Sequence, residues 1–146
     1  MINGRFSLIP AVYLILIRNH KILLLRRYQT GYMDGKYSLP AGHIEGHEPA
    51  IQAIIREAKE EVGLDLKEKD IELVHTMHRR AVEGDHERID LFFQASKFGE
   101  PKNAEPHKCD ELRWAPVDDL PKNMVAEVRL AIENISKNKN YSDFNF

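Results

Sequence analysis

Cysteine is nearly missing from this chain: Cys109 is the only one in 146 residues, which leaves no internal disulfide and fits a reducing compartment. No CxxC pattern surrounds it, so it reads as a small buried residue. Long apolar runs are also lacking. The most apolar early segment, Leu8 to Ile17, contains Pro10 and falls far short of the ~20 residues that cross a bilayer. It has no basic start and no small-residue cleavage site, so no signal peptide is expected, and the chain reads as cytoplasmic with no membrane partner. Charge of one sign is absent too: the formal net charge is -2, and the bases are scattered rather than gathered into an arm. Long nucleic acid is therefore not an expected partner. Internal repeats and low-complexity segments are missing as well. What remains is enough for one ordinary domain, able to bury roughly two-thirds of the surface its unfolded form exposes.

Ser7 to Ile17 and Lys21 to Leu25 are rich in β-formers and flank Asn19-His20, which predicts a hairpin. Arg26 to Tyr37 mixes glycines, bases and aromatics without a period and predicts a surface loop able to line a site. Ser38-Leu39-Pro40 reads as a short edge strand running into a turn at Ala41-Gly42. A helix is expected from about Pro49 to Val62, closed by Gly63 in the left-handed conformation. Ile71–Met77 and Ile89–Ala95 alternate as strands, with Glu83-Gly84-Asp85 as their turn. On the second of them Ile89, Leu91, Phe93 and Ala95 face one way, and Arg88, Asp90, Phe92 and Gln94 the other. Phe98 to Lys108 reads as a loop, Leu112 to Val117 as a short strand around Trp114. Met124, Val128, Ala131 and Ile135 recur at helical spacing. Residues 1–138 thus form the expected domain, and 139–146 a frayed tail whose Phe144 and Phe146 can touch a surface.

On a wheel of ~100° per residue, Ile51, Ile55, Ala58 and Val62 of the first helix gather on one side, with Glu57, Glu60 and Glu61 roughly opposite. A solvated acidic face is the ordinary outcome of such a helix. Here it has a cost. Glu57 and Glu61 are like charges one turn apart, and Glu60 and Glu61 sit in the last turn against the helix dipole, each effect worth a few tenths of a kcal/mol. Arg56, four residues before Glu60, offsets part of this. A divalent cation would reverse the sign of the whole arrangement, since hard oxygen ligands hold magnesium beside substrate phosphates.

Gly42, five residues, Glu48, seven residues, then Arg56-Glu57-Ala58-Lys59-Glu60-Glu61-Val62-Gly63-Leu64 resembles the complete Nudix box. The resemblance extends over about Ser7 to Lys137, with one departure, Ala41 where many members carry glycine. It implies an α/β (α+β) fold, a Nudix-type α/β/α sandwich with a mixed sheet. It also implies hydrolysis of a nucleoside diphosphate linked to another moiety, dependent on Mg2+ or in its place Mn2+. By the match, Glu57, Glu60 and Glu61 would bind metal, with Ala41 or Gly42 adding a carbonyl. Glu48 would coordinate or orient, Arg56 would hold Glu48 or its neighbours, and a carboxylate would accept the proton of the attacking water. Within the box that acid is Glu57 or Glu61; outside it, Glu105, Asp110 and Glu111 stand where related enzymes often place one.

Arg26, Arg27, Lys36, Arg79 and Arg88 are the candidate phosphate contacts, arginine being suited to bidentate binding, although each alone reads more readily as a solvated residue. Tyr28, Tyr32, Tyr37 and Phe92 could stack on a base, with anchoring or core roles the ordinary alternative. His43 and His47 read as ordinary hydrogen-bonding residues and Trp114 as core. Members that destroy oxidised purine triphosphates often carry a tryptophan and paired acids beyond a proline like Pro121; Lys122 to Glu127 lacks that pattern, which argues against the assignment. The expected substrate is a nucleoside triphosphate cleaved to monophosphate and pyrophosphate, by a monomer or homodimer. The alternatives are a nucleotide-sensing module that does not cleave, or hydrolysis of dinucleoside polyphosphates or RNA 5' ends.

Overall fold

Residues 3–80 and 86–146 are described in the computed structural model, and the turn expected at Glu83-Gly84-Asp85 lies outside them. The elements follow as β1 (Ile9–Ile15), β2 (Ile17–Arg18), β3 (Lys21–Arg27), β4 (Tyr37–Ser38), β5 (Ala41–His43) and α1 (Ala50–Val62). A 3-10 turn at Glu68–Asp70 leads to β6 (Ile71–Arg79), β7 (Arg88–Ala95), β8 (Cys109–Pro116), α2 (Ala126–Ser136) and β9 (Tyr141–Phe144).

The expected hairpin forms between β2 and β3, with Asn19 and His20 both at positive φ, as a tight primed turn requires. The apolar run that precedes it serves a different sheet. β1 is an interior strand of a five-stranded mixed sheet ordered β5-β1-β7-β6-β9, parallel to β7 and antiparallel to β5. Buried on both faces, such a strand reads as a nearly continuous apolar segment rather than an alternating one. β3 pairs with β2 and β4 on one edge and along its length with β8 on the other, forming the second sheet.

Alternation on β1 and β7 sends side chains to two cores. Val12, Leu14, Phe93 and Ala95 join Ala53, Ile54, Ala58 and Val62 of α1. Tyr13, Ile15 and Phe92 join Val128, Ala131 and Ile132 of α2. The sheet is therefore sandwiched between the helices, the α/β/α arrangement with a mixed sheet expected from the sequence. Among the described residues no helix is long and apolar enough to cross a membrane.

Two expectations change. The tail does not fray: Tyr141–Phe144 pairs parallel with Thr76–Arg79, and buried His75 bonds the Lys139 carbonyl and the Ser142 hydroxyl at 2.8 and 2.7 Å. At Ala41-Gly42 the chain makes a strand, not only a turn, and pairs with Ala11–Tyr13.

Candidate active site

α1 begins after Pro49 and ends at Gly63 with φ +67, where the Leu64 N–H reaches back to the Ala58 carbonyl. Its buried residues are Ala53, Ile54, Ala58 and Val62, while Ile51 and Ile55 are only half-buried. The acids are thus not opposite the packed face, as the wheel had them. Glu57 and Glu61 rise within it, with Ala53 and Ile54 one turn before Glu57 and Ala58 beside it, so both carboxylates enter the space between helix and sheet.

That space is a cleft of about 790 Å3. Ala41, Gly42, His43, Glu45, Arg56, Glu57, Glu60, Glu61 and Glu105 line it, as do Tyr13, Arg27, Tyr32, Arg79 and Arg88. Gly42 leaves the room that the Glu57 carboxylate occupies, so a Cβ there would displace that side chain. Glu61 accepts the Ala41 N–H at 2.8 Å. Burial, then the neighbouring Glu57 and Glu105, pushes its carboxyl up to about 8. Burial also raises Glu57, against the Arg56 hydrogen bond that lowers it. Glu60 is the exposed member, its side chain half open to solvent.

Arg56 is the hub. It donates to both Glu48 oxygens at 2.8 and 3.1 Å, to Glu57 at 2.7 Å, to Glu60 at 3.4 Å and to the His43 carbonyl at 3.2 Å. Glu48 is held well below the usual carboxylate range by this contact. It stands behind the cleft lining and acts on it through Arg56.

Glu105 arrives through the loop after β7. The Lys102 and Ala104 N–H groups bond the Val62 and Glu61 carbonyls at 3.0 and 3.1 Å, satisfying the end of α1 and bringing the loop against it. Asn103 bridges the bend, donating to the Cys109 carbonyl at 2.7 Å and accepting the Glu105 N–H at 3.2 Å. Of the three acids proposed outside the box, only Glu105 reaches the cleft. Asp110 and Glu111 are tied to Arg26 at 2.7 and 3.2 Å, which removes all three from the lining. Lys36 is exposed and likewise outside it.

Arg79 is a correction of another kind. It lines the cleft, but it is buried and paired with Asp90 at 2.8 Å and Glu127 at 3.4 Å, so its charge is already met by two carboxylates. Arg88 donates to His43 at 2.9 Å at the cleft edge. Tyr37 and Phe92 are core residues, and Trp114 packs against Phe98 with Arg18 over its ring. The sequence reading missed Tyr13, Glu45 and Lys108 as lining residues. Tyr13 had a signal, as the one polar-tipped side chain in an aliphatic strand; Lys108 had none.

Among the described residues no three histidine, cysteine or carboxylate side chains form a ready-made metal cluster. The contacts give the reason: Arg56 holds Glu57 and the Ala41 amide holds Glu61. The donor chemistry still fits a hard divalent cation, because several carboxylates share one partly dry cleft and ionisation of Glu61 is disfavoured without a positive charge nearby.

Fold and cleft define a small α/β/α domain that gathers the carboxylates of one helix beside a nucleotide-sized cavity. The NUDIX domain profile matches residues 7–135, and the chain belongs to the Nudix family, which generally uses divalent metals. It is 30% identical over 115 residues to the NAD-capped RNA hydrolase NudC of Stutzerimonas stutzeri, covering 77% of this chain but only 38% of that protein. The ADP-ribose pyrophosphatase of Methanocaldococcus jannaschii is 33% identical over 120 residues, 81% of this chain and 69% of that protein. The MutT NUDIX hydrolase from Burkholderia pseudomallei superposes with a TM-score of 0.79 at 27% identity, covering 87% of this chain and 97% of that one.

Proposed function

We propose that this Nudix-family protein is a magnesium-dependent nucleotide pyrophosphohydrolase, with a nucleoside triphosphate as the first substrate and monophosphate and pyrophosphate as products. The observation that carries the reading is the meeting of Glu57, Glu60 and Glu61 from α1 with Glu105 from a separate loop in one cleft. The relatives named as hydrolases of NAD-capped RNA and of ADP-ribose support the broader class, a nucleoside diphosphate joined to a second moiety.

Glu57, Glu60 and Glu61, with a carbonyl from Ala41 or Gly42, are the residues that would hold magnesium, or manganese in its place. When bound, the ion supplies Lewis acidity that eases deprotonation of water and neutralises charge developing on the phosphate oxygens. The chain's own part is alignment and proton transfer. Glu48 fixes Arg56, and Arg56 fixes Glu57 and Glu60. Glu105, tethered by Asn103 and by the end of α1, would accept the proton of the attacking water, with Glu57 and Glu61 as its acidic neighbours within the box. A reducing, cytoplasmic setting accords with the single buried cysteine.

The test is a panel of nucleoside triphosphates, dinucleoside polyphosphates, ADP-ribose and capped RNA, run with magnesium, with manganese and with chelator. Release of pyrophosphate or phosphate that chelator stops and Glu60→Gln lowers at least a hundredfold is the expected result. Tight nucleotide binding with no turnover of any member would replace the enzyme with a sensing module.

A further inference from the structure

The cleft that gathers the carboxylates is also lined by Tyr13, Tyr32 and Arg79. Arg79 is committed to Asp90 and Glu127. Over this buried group stand two phenols. Tyr13 lies on β1, its ring stacked on Phe92 at 4.6 Å and 15°, with burial holding its hydroxyl protonated far above the ordinary range. Tyr32 comes from the loop between β3 and β4, and its hydroxyl meets Glu127 at 3.2 Å. Yet Tyr32 is 45% exposed, an unusual state for a large ring fixed at its tip.

The loop spends several bonds to keep it there. Asp34 accepts the Thr30 and Gly31 N–H groups, each at 3.0 Å, and the Thr30 hydroxyl at 2.6 Å. Arg27 donates to the Tyr32 carbonyl at 2.6 Å and to Thr30 at 3.0 Å, and its guanidinium lies 5.4 Å from the centre of the Tyr32 ring. A tyrosine on an exposed loop is usually mobile; this one is fixed at its backbone, one side of its ring and its hydroxyl. Leaving that apolar face open to the cleft forgoes the free energy of burying it, which a planar aromatic occupant would recover.

We propose that Tyr32 is a specificity-determining residue: its ring, with Tyr13, forms a stacking subsite for the aromatic base of the nucleotide, in the same cleft as the carboxylates that would face the phosphates. This rests on the nucleotide reading of the cleft but names which end of the substrate is recognised, and by what chemistry. A stacked base tolerates any of the common bases, so the subsite separates nucleotides from base-free sugar phosphates more than one base from another.

Calorimetric titration of AMP, GMP, CMP and UMP, each compared with ribose 5-phosphate, tests the subsite in chelator, where nothing turns over. For the wild type, at least one nucleoside monophosphate binds more tightly than ribose 5-phosphate. Tyr32→Ala weakens that binding about ten- to a hundredfold, the range expected for one lost base–aromatic stack, and leaves ribose 5-phosphate where it was. Tyr32→Phe recovers most of the loss, since the ring is what binds. In turnover the Ala variant's loss falls on KM. The proposal is overturned if no monophosphate outbinds ribose 5-phosphate, if Tyr32→Ala weakens both alike, or if it weakens neither. Melting curves on both variants separate a local loss from misfolding. Because binding is read without catalysis, a chain that binds bases through Tyr32 yet hydrolyses nothing would sink the enzyme reading and spare the subsite; hydrolysis unaffected by Tyr32 would do the reverse.

Discussion

Replacing Glu61 by glutamine isolates the electrostatic cost built into α1. In the metal-free protein burial and two acidic neighbours hold the Glu61 carboxyl at about 8, against 4.5 for the ordinary side chain. Because the folded-state value is the higher one, the folded chain keeps a proton that the unfolded chain gives up. The associated stability is fully present below about 4.5 and is lost as pH rises through 8. A tenfold difference in proton affinity between the folded and unfolded chain is worth about 1.4 kcal/mol, so the loss over the whole window is bounded near 5 kcal/mol, and solvent access to a half-buried group reduces it to about 2–4 kcal/mol. Glutamine keeps an oxygen for the Ala41 N–H and cannot ionise. Urea unfolding in chelator should therefore find Glu61→Gln close to wild type at pH 5 and about 2–4 kcal/mol more stable at pH 8, or roughly 5–15 °C in Tm for a chain of this size. Glu57, also raised by burial, leaves a smaller slope of the same sign in the variant. Magnesium added at pH 8 should return the lost stability to wild type and little to the variant. An identical decline from pH 5 to 8 in both proteins would refute the assignment of that cost to Glu61.

Three further substitutions probe the rest of the cleft. Gly42→Ala puts a methyl where the Glu57 carboxylate lies, so turnover should fall at least tenfold while the melting temperature moves by only a few degrees, compared by activity assay and calorimetry. Arg79→Met leaves Asp90 and Glu127 buried without their cation and should cost about 3–5 kcal/mol in urea unfolding, whereas Arg26→Ala, removing its surface pairs with Asp110 and Glu111, should leave the unfolding midpoint nearly unchanged and keep turnover within twofold. Asn103→Ala frees the Glu105 backbone and should lower kcat more than KM, by about tenfold or more; Asp at 103 keeps the acceptor for the Glu105 N–H and should recover part of the loss, while Asp110→Asn should leave the rate within twofold.

Local chemistry carried the sequence reading furthest where one stretch of chain does the work. The end of α1 needed only Gly63 in a left-handed cap, the hairpin only Asn19-His20, and the order of acids along α1 only the spacing of the box. The match from Gly42 to Leu64 carried the Nudix resemblance, and the resemblance implied the sandwich fold. The difficulties lay wherever a distant element changes what a local pattern means. Tyr141–Phe144, polar and short, becomes a strand because β6 offers an edge and His75 binds on either side of the bend, contacts closed over more than sixty residues. Asp90 falls on the side of its strand shared with Arg88 and Gln94, and Arg79 lies past the expected end of its own strand, so both read as solvated until α2 packs there and supplies Glu127. The choice among Glu105, Asp110 and Glu111 depended on where the loop docks, and that is decided by the free carbonyls of Glu61 and Val62 together with the capture of Asp110 and Glu111 by Arg26.

The wheel failed for a reason tied to function. Apolar residues locate the buried side of a helix when the acids belong in water. In α1 two of the acids belong beside the sheet, so the packed face is drawn toward Ala53 and Ile54, and Ile51 and Ile55 are left half-covered at its border. Glu57 and Glu61 are thereby held by the core rather than by solvent, with Gly42 cut back to admit one and the Ala41 amide turned to meet the other. A helix placed to satisfy its aliphatic residues alone would have turned these carboxylates outward, away from the cleft that they line together with Glu105.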